Sequence, residues 1–147
     1  MTRVGLIFGI ALCMAAVAAA EDRCPWLNVA TASGFLGGAV HMTLTPGSCE
    51  FVRQDGGHEM ALRIEVASTS APHAQCSSGA EPLKAVGNEA LACTYEGKQG
   101  WLAEQVVGRV RDQAFLVRIS TNDRSTAPKV MREKVRKVAE QVAGILF

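Results

Sequence analysis

Apolar and polar residues alternate along most of the chain after residue 40. In AVHMTLT, Val40, Met42 and Leu44 alternate with polar residues, and CEFVRQ follows the turn signal Pro46-Gly47. The segment EMALRIEVA shows the clearest alternation and places four apolar residues on one face: Met60, Leu62, Ile64 and Val66. A period of two is typical of a half-buried strand, and short turns join antiparallel neighbours. The pattern predicts three consecutive antiparallel strands.

The second half of the chain repeats this pattern after a stretch rich in Ser, Ala, Pro and Gly. That stretch, 68–89, predicts a long exposed connection. LACTY then predicts a fourth strand, and LAEQVVGRVRDQAFLVRIS predicts two more, with a hairpin tip at 111–113. The last strand is apolar on much of both faces, with Arg118 as its charged residue, so we expect it to be central or covered by a helix.

Apolar residues recur at helical spacing in two segments, one near residue 30 and one at the C-terminal end. Asn28 suits an N-cap, and Val29, Ala32 and Leu36 share one face of a short helix that Gly37 ends. Near the C-terminus five apolar residues recur three and four positions apart: Met131, Val135, Val138, Val142 and Ile145. This stripe predicts a long amphipathic helix packed on the sheet.

The start of the C-terminal helix also has sequence signals. Ser125 or Thr126 can cap it, and Pro128 suits its first turn. Together the patterns predict an α+β fold with a short N-terminal helix and an antiparallel sheet of about five to six strands. The long amphipathic C-terminal helix and two disulfides complete the prediction.

The first 20 residues have the three parts of a secretory signal peptide. Arg3 supplies the basic region, an apolar run covers 4–17, and Ala18-Ala19-Ala20 forms the cleavage site. We therefore expect residues 1–20 to be a signal peptide and 21–147 to be a single α+β domain, exported to the periplasm or secreted. An uncleaved membrane anchor is the alternative, and no transmembrane segment is expected after cleavage.

Four cysteines remain once the signal peptide is removed: Cys24, Cys49, Cys76 and Cys93. An even number in an exported chain predicts two disulfides, although four cysteines allow three pairings. We favour Cys24–Cys49 and Cys76–Cys93 because each pair closes a local loop. The chain has no C-x-x-C sequence, which argues against a thioredoxin-type dithiol.

The charge balance argues against a nucleic-acid partner. The full chain has 15 basic and 14 acidic residues, and loss of Arg3 with the signal peptide leaves equal numbers. Nucleic-acid binding favours a basic face with aromatic stacking platforms, and only 5% of the residues are aromatic. We expect no nucleic acid among the partners.

The N-terminal segment CPWLNVATASGFLGG resembles the start of a family of small exported domains of unknown function. That family is best known among actinobacterial lipoproteins. In this chain the matching features are Cys24, the capping Asn28, Leu36-Gly37, the segment Cys49-Glu50-Phe51 and AVGNEA at 85–90. The resemblance implies a fold and no activity. The chain departs from the family in lacking a lipobox, in carrying Asn88 at an acidic position and in having the Cys76 and Cys93 pair.

Metal and catalytic chemistry are the alternatives to a binding function. His58 and His73, with nearby carboxylates, are weak candidate metal ligands, since a site needs three or four converging groups. Glu89 and Glu104 are the carboxylates that we consider first for hydrolytic chemistry. With no catalytic motif in the sequence, we predict that the protein is not an enzyme and needs no cofactor.

The sequence therefore predicts an exported, non-enzymatic binding module. The expected partner is a protein or an envelope polymer. Its surface is predicted to combine the 68–89 stretch, with His73, and the turn that carries Lys98 and Trp101. The alternatives are a small metal-binding or hydrolytic envelope protein, an inhibitor of a cell-wall enzyme, or a component whose basic C-terminal helix contacts anionic lipid.

Overall fold

The computed structural model describes residues 23–68, 78–95 and 97–147. They form two helices and seven strands, which are α1 (Val29–Leu36), β1 (His41–Thr45), β2 (Ser48–Asp55), β3 (His58–Ala67), β4 (Ser78–Pro82), β5 (Glu89–Thr94), β6 (Leu102–Val110), β7 (Gln113–Thr121) and α2 (Pro128–Leu146). The expected signal peptide, His73 and Cys76 lie outside the described residues.

All seven strands belong to one antiparallel sheet. Its order is β1-β2-β3-β7-β6-β5-β4, and each neighbouring pair runs antiparallel. The predicted three-stranded meander is therefore confirmed, and so is the central position of β7. The hairpin tip between β6 and β7 is confirmed at Arg111 and Asp112, and Gln113 opens β7.

The prediction of five to six strands is wrong, although the α+β arrangement is confirmed. The additional strand is β4, which lies inside the stretch that we expected to be an exposed connection. All five residues of SGAEP are exposed, so the strand leaves no alternation in the sequence. It pairs only with β5 at the sheet edge, through backbone groups that do not depend on the type of side chain.

The disulfide prediction is half right. Cys24 and Cys49 are bonded, with their Cα atoms 5.8 Å apart, which confirms the favoured local pairing. Within the described residues this is the single bridge for which both cysteines are placed, not the predicted two. Cys93 is fully buried in β5 and is itself disulfide-bonded, and Cys76, its predicted partner, lies outside the described part of the chain.

Helix α1 begins and ends as its sequence predicts. The Asn28 side chain accepts a hydrogen bond from the backbone N–H of Thr31 at 2.8 Å, and Gly37 closes the helix with φ of 77°. Arg53 Nη1 then donates to the carbonyl oxygens of Leu36 at 2.8 Å and Gly37 at 3.3 Å. A cation at a helix C-terminus is favourable, so Arg53 fixes the end of α1 to β2.

Helix α2 starts without the predicted cap. Pro128 is its first residue, as expected, but the N-cap is Ala127, which has no capping side chain. The Ser125 hydroxyl is not available as a cap, because it donates to the Asp123 carboxylate at 2.7 Å in the loop before the helix. That hydrogen bond and one from the Ser125 N–H hold the pKa of Asp123 below its usual value. The capping predictions for Ser125 and Thr126 are therefore wrong.

The buried face of α2 is offset from the predicted stripe. Met131, Val135, Val138 and Val142 are buried, as expected, but Ile145 is 51% exposed. Ala139 and Ala143 are buried in its place. Because an α-helix turns by about 100° per residue, these alanines extend the apolar face on the side opposite to Ile145.

Both helices pack on the same face of the sheet. α2 lies against β6 and β7, and α1 lies against β2 and β3. The core between helices and sheet includes the large, fully buried residues Leu36, Phe51, Leu62, Ile64, Phe115, Ile119 and Met131. The opposite sheet face carries no described helix, and we call it the open face.

A close contact at Gly108 yields the first prediction. A Cβ atom built there would lie 2.5 Å from Cζ of Phe115 and 2.8 Å from the carbonyl oxygen of Glu89. Since Phe115 is fully buried, its ring has no space to retreat. We expect Gly108→Ala to lower the free energy of unfolding by about 1–3 kcal/mol in urea denaturation.

The matched control for this prediction is Gly34→Ala in α1. A Cβ atom at Gly34 meets nothing within 4 Å, so the substitution is expected to stabilise the protein by about 0.5–1 kcal/mol through helix propensity. Equal midpoints for the two variants would contradict the proposed contact between residue 108 and Phe115.

Candidate functional site

Polar residues cross the middle of the open face in one row. Glu50 is paired with Arg63, Arg63 with Arg118, and Arg118 with Gln105, on the adjacent strands β2, β3, β7 and β6. Cross-strand partners share a face, so these four side chains all project from the open face. The central strands of the sheet therefore present charged groups on the side away from the core.

Arg118 is held on this face by two neighbours. Its Nε and Nη2 donate to Gln105 Oε1 at 3.0 and 2.9 Å, and its guanidinium carbon lies 3.7 Å from the centre of the Tyr95 ring. Gln105 is fully buried, and its Nε2 approaches Cys93 Sγ at 3.5 Å. These contacts fix the orientation of the guanidinium group.

The charge of Arg118 survives its partial burial. Burial lowers the pKa of Arg118 below its ordinary value, while the Tyr95 and Glu65 side chains partly offset this effect and Arg63 adds to it. An arginine remains protonated at neutral pH even with a moderately lowered pKa. The open face therefore contains a fixed positive charge near its centre.

A groove of about 300 Å³ lies beside Arg118 on the open face. Its floor consists of Ala61, Ser120 and Ala103, which are paired across the adjacent strands β3, β7 and β6. Small residues at these three positions leave space between the taller side chains around them. We call this cavity the open-face groove.

The two sides of the open-face groove carry different groups. Glu50 and Glu59, from β2 and β3, form one side. Tyr95, Lys98 and Trp101, which lie between β5 and β6, form the other side, and Arg118 projects from the middle strand β7. We call these sides the acidic wall and the basic wall.

The turn between β5 and β6 shapes the basic wall. Lys98 Nζ lies 5.6 Å from the centre of the Trp101 ring, and the backbone N–H of Trp101 donates to the Lys98 carbonyl oxygen at 2.9 Å. Gly100 has φ of 83° within this turn, a conformation that favours glycine. A cation above an aromatic face is stabilised by the ring quadrupole, so the turn orients both side chains.

The structure places two of the three predicted partner-binding residues together. Lys98 and Trp101 line the groove, whereas His73 lies outside the described residues. The neighbours Tyr95, Arg118 and Gln105 were missed, because strand pairing brings them together from three separate segments. The one signal in the sequence was Arg118 itself, a charged residue inside the apolar run FLVRI.

The candidate metal ligands do not form a site in the described structure. His58 is exposed at the start of β3. Among residues 23–68, 78–95 and 97–147, no group of three or more His, Cys, Asp or Glu side chains could hold a metal ion. The second weak candidate, His73, is outside these ranges.

The candidate carboxylates Glu89 and Glu104 lie on opposite faces of the sheet. Glu89 is exposed and paired with Arg109 on β6, five positions from Glu104 on the same strand. Side chains an odd number of residues apart on a strand project from opposite faces. These two carboxylates therefore cannot act together on one substrate.

Glu104 instead connects α2 to the sheet. Its side chain is buried under the helix, where Arg132 Nε donates to Oε2 at 3.0 Å and Thr94 Oγ1 donates to Oε1 at 2.9 Å. Arg132 Nη2 also donates to Thr94 Oγ1 at 3.1 Å. The hydrogen bond to Glu104 raises the pKa of Arg132 above its usual value.

Comparisons of the chain with protein-family models, curated proteins and solved structures give no match. The family resemblance in the sequence therefore stays a prediction. In the described part of the chain, no helix is long and apolar enough to cross a bilayer.

The position of Glu104 yields the second prediction. Glu104→Gln removes the charge that Arg132 contacts, and we expect the free energy of unfolding to fall by about 1–3 kcal/mol because charge-assisted hydrogen bonds are lost. The matched control is Glu89→Gln, an exposed change that should stay within about 0.5 kcal/mol of the parent protein. Denaturant titration of both variants tests this, and equal stability would show that Glu104 does not anchor α2.

Proposed function

We propose that the protein is an exported, non-enzymatic binding module that holds its ligand in the open-face groove. The observation that supports this most is the fixed Arg118, flanked by Tyr95, Gln105 and a floor of small residues. A pre-oriented charged group beside accessible aromatic side chains is typical of a recognition site, since less ordering is required on binding. Sites on strands are also more rigid than sites on loops.

The groups that line the groove favour binding over catalysis. They include one aliphatic hydroxyl, from Ser120, and the phenolic hydroxyl of Tyr95, and among the described residues no histidine or cysteine lines the groove. A serine nucleophile needs an adjacent base, and paired acid–base carboxylates need a common substrate position. Glu50 and Glu59 share one wall, and Arg118 is occupied by Gln105. The groups that line the groove are suited to binding a ligand through charge and aromatic contacts.

The Cys24–Cys49 disulfide supports the expectation of export. Disulfides persist in oxidising compartments and are rare where thiols are kept reduced. This bridge closes a loop with a sequence separation of 25 and ties the segment that precedes α1 to the buried Cys49 of β2. The bridge and the signal-like N-terminus together favour a function in the periplasm or outside the cell.

The test of this function is site-specific photo-crosslinking in the envelope of the native cell. A benzophenone amino acid replaces Lys98 at the rim of the groove, or Lys137 on the exposed side of α2 as the matched control. We expect a defined crosslinked product from position 98 and none from position 137. Trp101→Ala in the same chain should reduce that product roughly tenfold, because aromatic residues dominate binding energies.

Two outcomes would contradict the proposed function. Equal crosslinking from positions 98 and 137 would indicate non-specific contact. Products from position 137 alone would place the binding surface on α2, the alternative in which the basic helix contacts envelope polymers or lipid.

A further inference from the structure

The two outer strands of the sheet differ in how their free edges are protected. β1 and β4 are these strands, and within the described residues each pairs with one neighbour only. A free strand edge can pair with another chain, and proteins protect such edges with charge, proline or a bulge. β4 carries Glu81 and Pro82, and its register shifts between Ser78 and Glu81. β1, with the sequence HMTLT, contains no Asp, Glu, Lys, Arg or Pro and pairs with β2 without a shift.

The hairpin turn between β1 and β2 determines which backbone groups of β1 bond to β2. Thr45 and Ser48 are register partners on either side of Pro46 and Gly47, so they form the hydrogen-bonded pair that closes a two-residue turn. On the other side of β2, the N–H of Val66 donates to the Gly47 carbonyl oxygen at 2.9 Å. This ladder bond passes beside Ser48, which therefore directs its own backbone groups to β1.

Alternate residues of β1 direct their backbone groups away from β2. Hydrogen-bonded and non-hydrogen-bonded pairs alternate along an antiparallel ladder, so Thr43 and His41 bond to β2 as Thr45 does. The N–H and C=O groups of Met42 and Leu44 then point to the outer edge of the sheet. In the part of the chain that the structure describes, no strand pairs with that edge.

A second copy of β1 matches this edge when the two strands run antiparallel about Thr43. Met42 of one copy then lies opposite Leu44 of the other, and each such pair can exchange two backbone hydrogen bonds. Thr43 lies opposite Thr43 of the second copy, and cross-strand threonine pairs are favourable. His41 lies opposite Thr45, so no like charges meet along the strand.

Apolar surface continues this edge on the helix-covered face. Met42 is paired with the buried Phe51, so it projects from that face beside α1. A cavity of about 760 Å³ is lined there by Met42, Leu27 and Val29, and Val29 is 43% exposed. Leu44 of the second copy, opposite Met42, would add an apolar side chain beside this cavity, and burial of apolar surface is favourable.

We propose that the protein forms a two-fold symmetric dimer through β1, with the sheet continuing from one copy to the other. The interface is isologous, because the same edge serves both copies. One short strand from each copy makes a smaller contact than an obligate dimer has, so we expect association in the micromolar range. The proposal does not depend on the groove function, because β2 separates β1 from the floor strands β3, β7 and β6.

Analytical ultracentrifugation of the mature chain, 21–147, tests the dimer. We expect the fraction of dimer to rise with concentration across the micromolar range. Thr43→Lys should weaken association roughly tenfold or more, because it places two ammonium groups opposite each other at the two-fold axis. Thr43 is exposed, so the variant should remain folded by circular dichroism. The matched control is Ser78→Lys, which adds the same charge to the exposed strand β4 and should leave association unchanged.

Disulfide crosslinking tests the register. With Thr43→Cys, the two thiols lie on opposed residues whose Cα atoms are about 4.5 Å apart, a distance that a disulfide spans. With Thr45→Cys, the two substituted positions are offset by four residues along the paired strands, or about 14 Å, which is too far. We expect a covalent dimer on a non-reducing gel after air oxidation of the first variant and not of the second.

Three results would overturn the proposal. A parent chain that stays monomeric at millimolar concentration would show that a second copy is the wrong occupant, and the edge would remain open to an extended segment of another protein. A dimer that Thr43→Lys leaves unchanged would place the interface elsewhere on the molecule. Equal crosslinking from positions 43 and 45 would exclude the register about Thr43.

Discussion

Successive side chains of a strand point to opposite faces, so the face of the sheet that packs under α1 and α2 decides the environment of every strand residue. In β7, Phe115, Val117 and Ile119 enter the core beneath the helices. Because side chains alternate along the strand, Arg118 and Ser120 must project from the opposite face. Only the face under the helices has to be apolar throughout, so the other face of an antiparallel sheet can carry polar side chains, and the open-face groove lies among them.

The position of α2 over the sheet depends on a polar contact as well as on apolar area. The stripe from Met131 to Val142 makes burial favourable, but apolar contacts alone are non-directional. Glu104 lies under the helix at a desolvation cost that only well-placed partners offset. Arg132 and Thr94 are these partners. Because hydrogen bonds are directional, the three bonds among Glu104, Arg132 and Thr94 fix the position of the helix over the sheet.

Periodicity was enough to predict the elements that bury one face. It identified six of the seven strands and both helices, and Asn28 and Gly37 marked α1 correctly. It failed for β4, whose side chains are all exposed, and for the cap of α2, where Ser125 binds Asp123 instead. Each failure concerns a backbone or local hydrogen bond that leaves no apolar pattern.

The groove was less predictable because it depends on which strands are neighbours. The turn with Lys98 and Trp101 was visible in the sequence, but β3 pairs with β7 across about half of the described chain. That pairing puts Ala61 next to Ser120 and creates the floor. No local pattern encodes a contact between residues about 60 positions apart, so Arg118 appeared only as a charge in an apolar strand.

The charged groups of the open face act on one another along the rows of the sheet. Arg63 stands between Glu50 and Arg118 in one row across β2, β3 and β7. Opposite charges on neighbouring strands attract one another, and like charges directly opposite repel. Glu65 pairs with Arg63, while Gln105 and the Tyr95 ring hold Arg118, so both guanidinium groups have partners that offset their mutual repulsion. The orientation of Arg118 is therefore fixed by the fold itself, through contacts that form only after β3, β6 and β7 have paired.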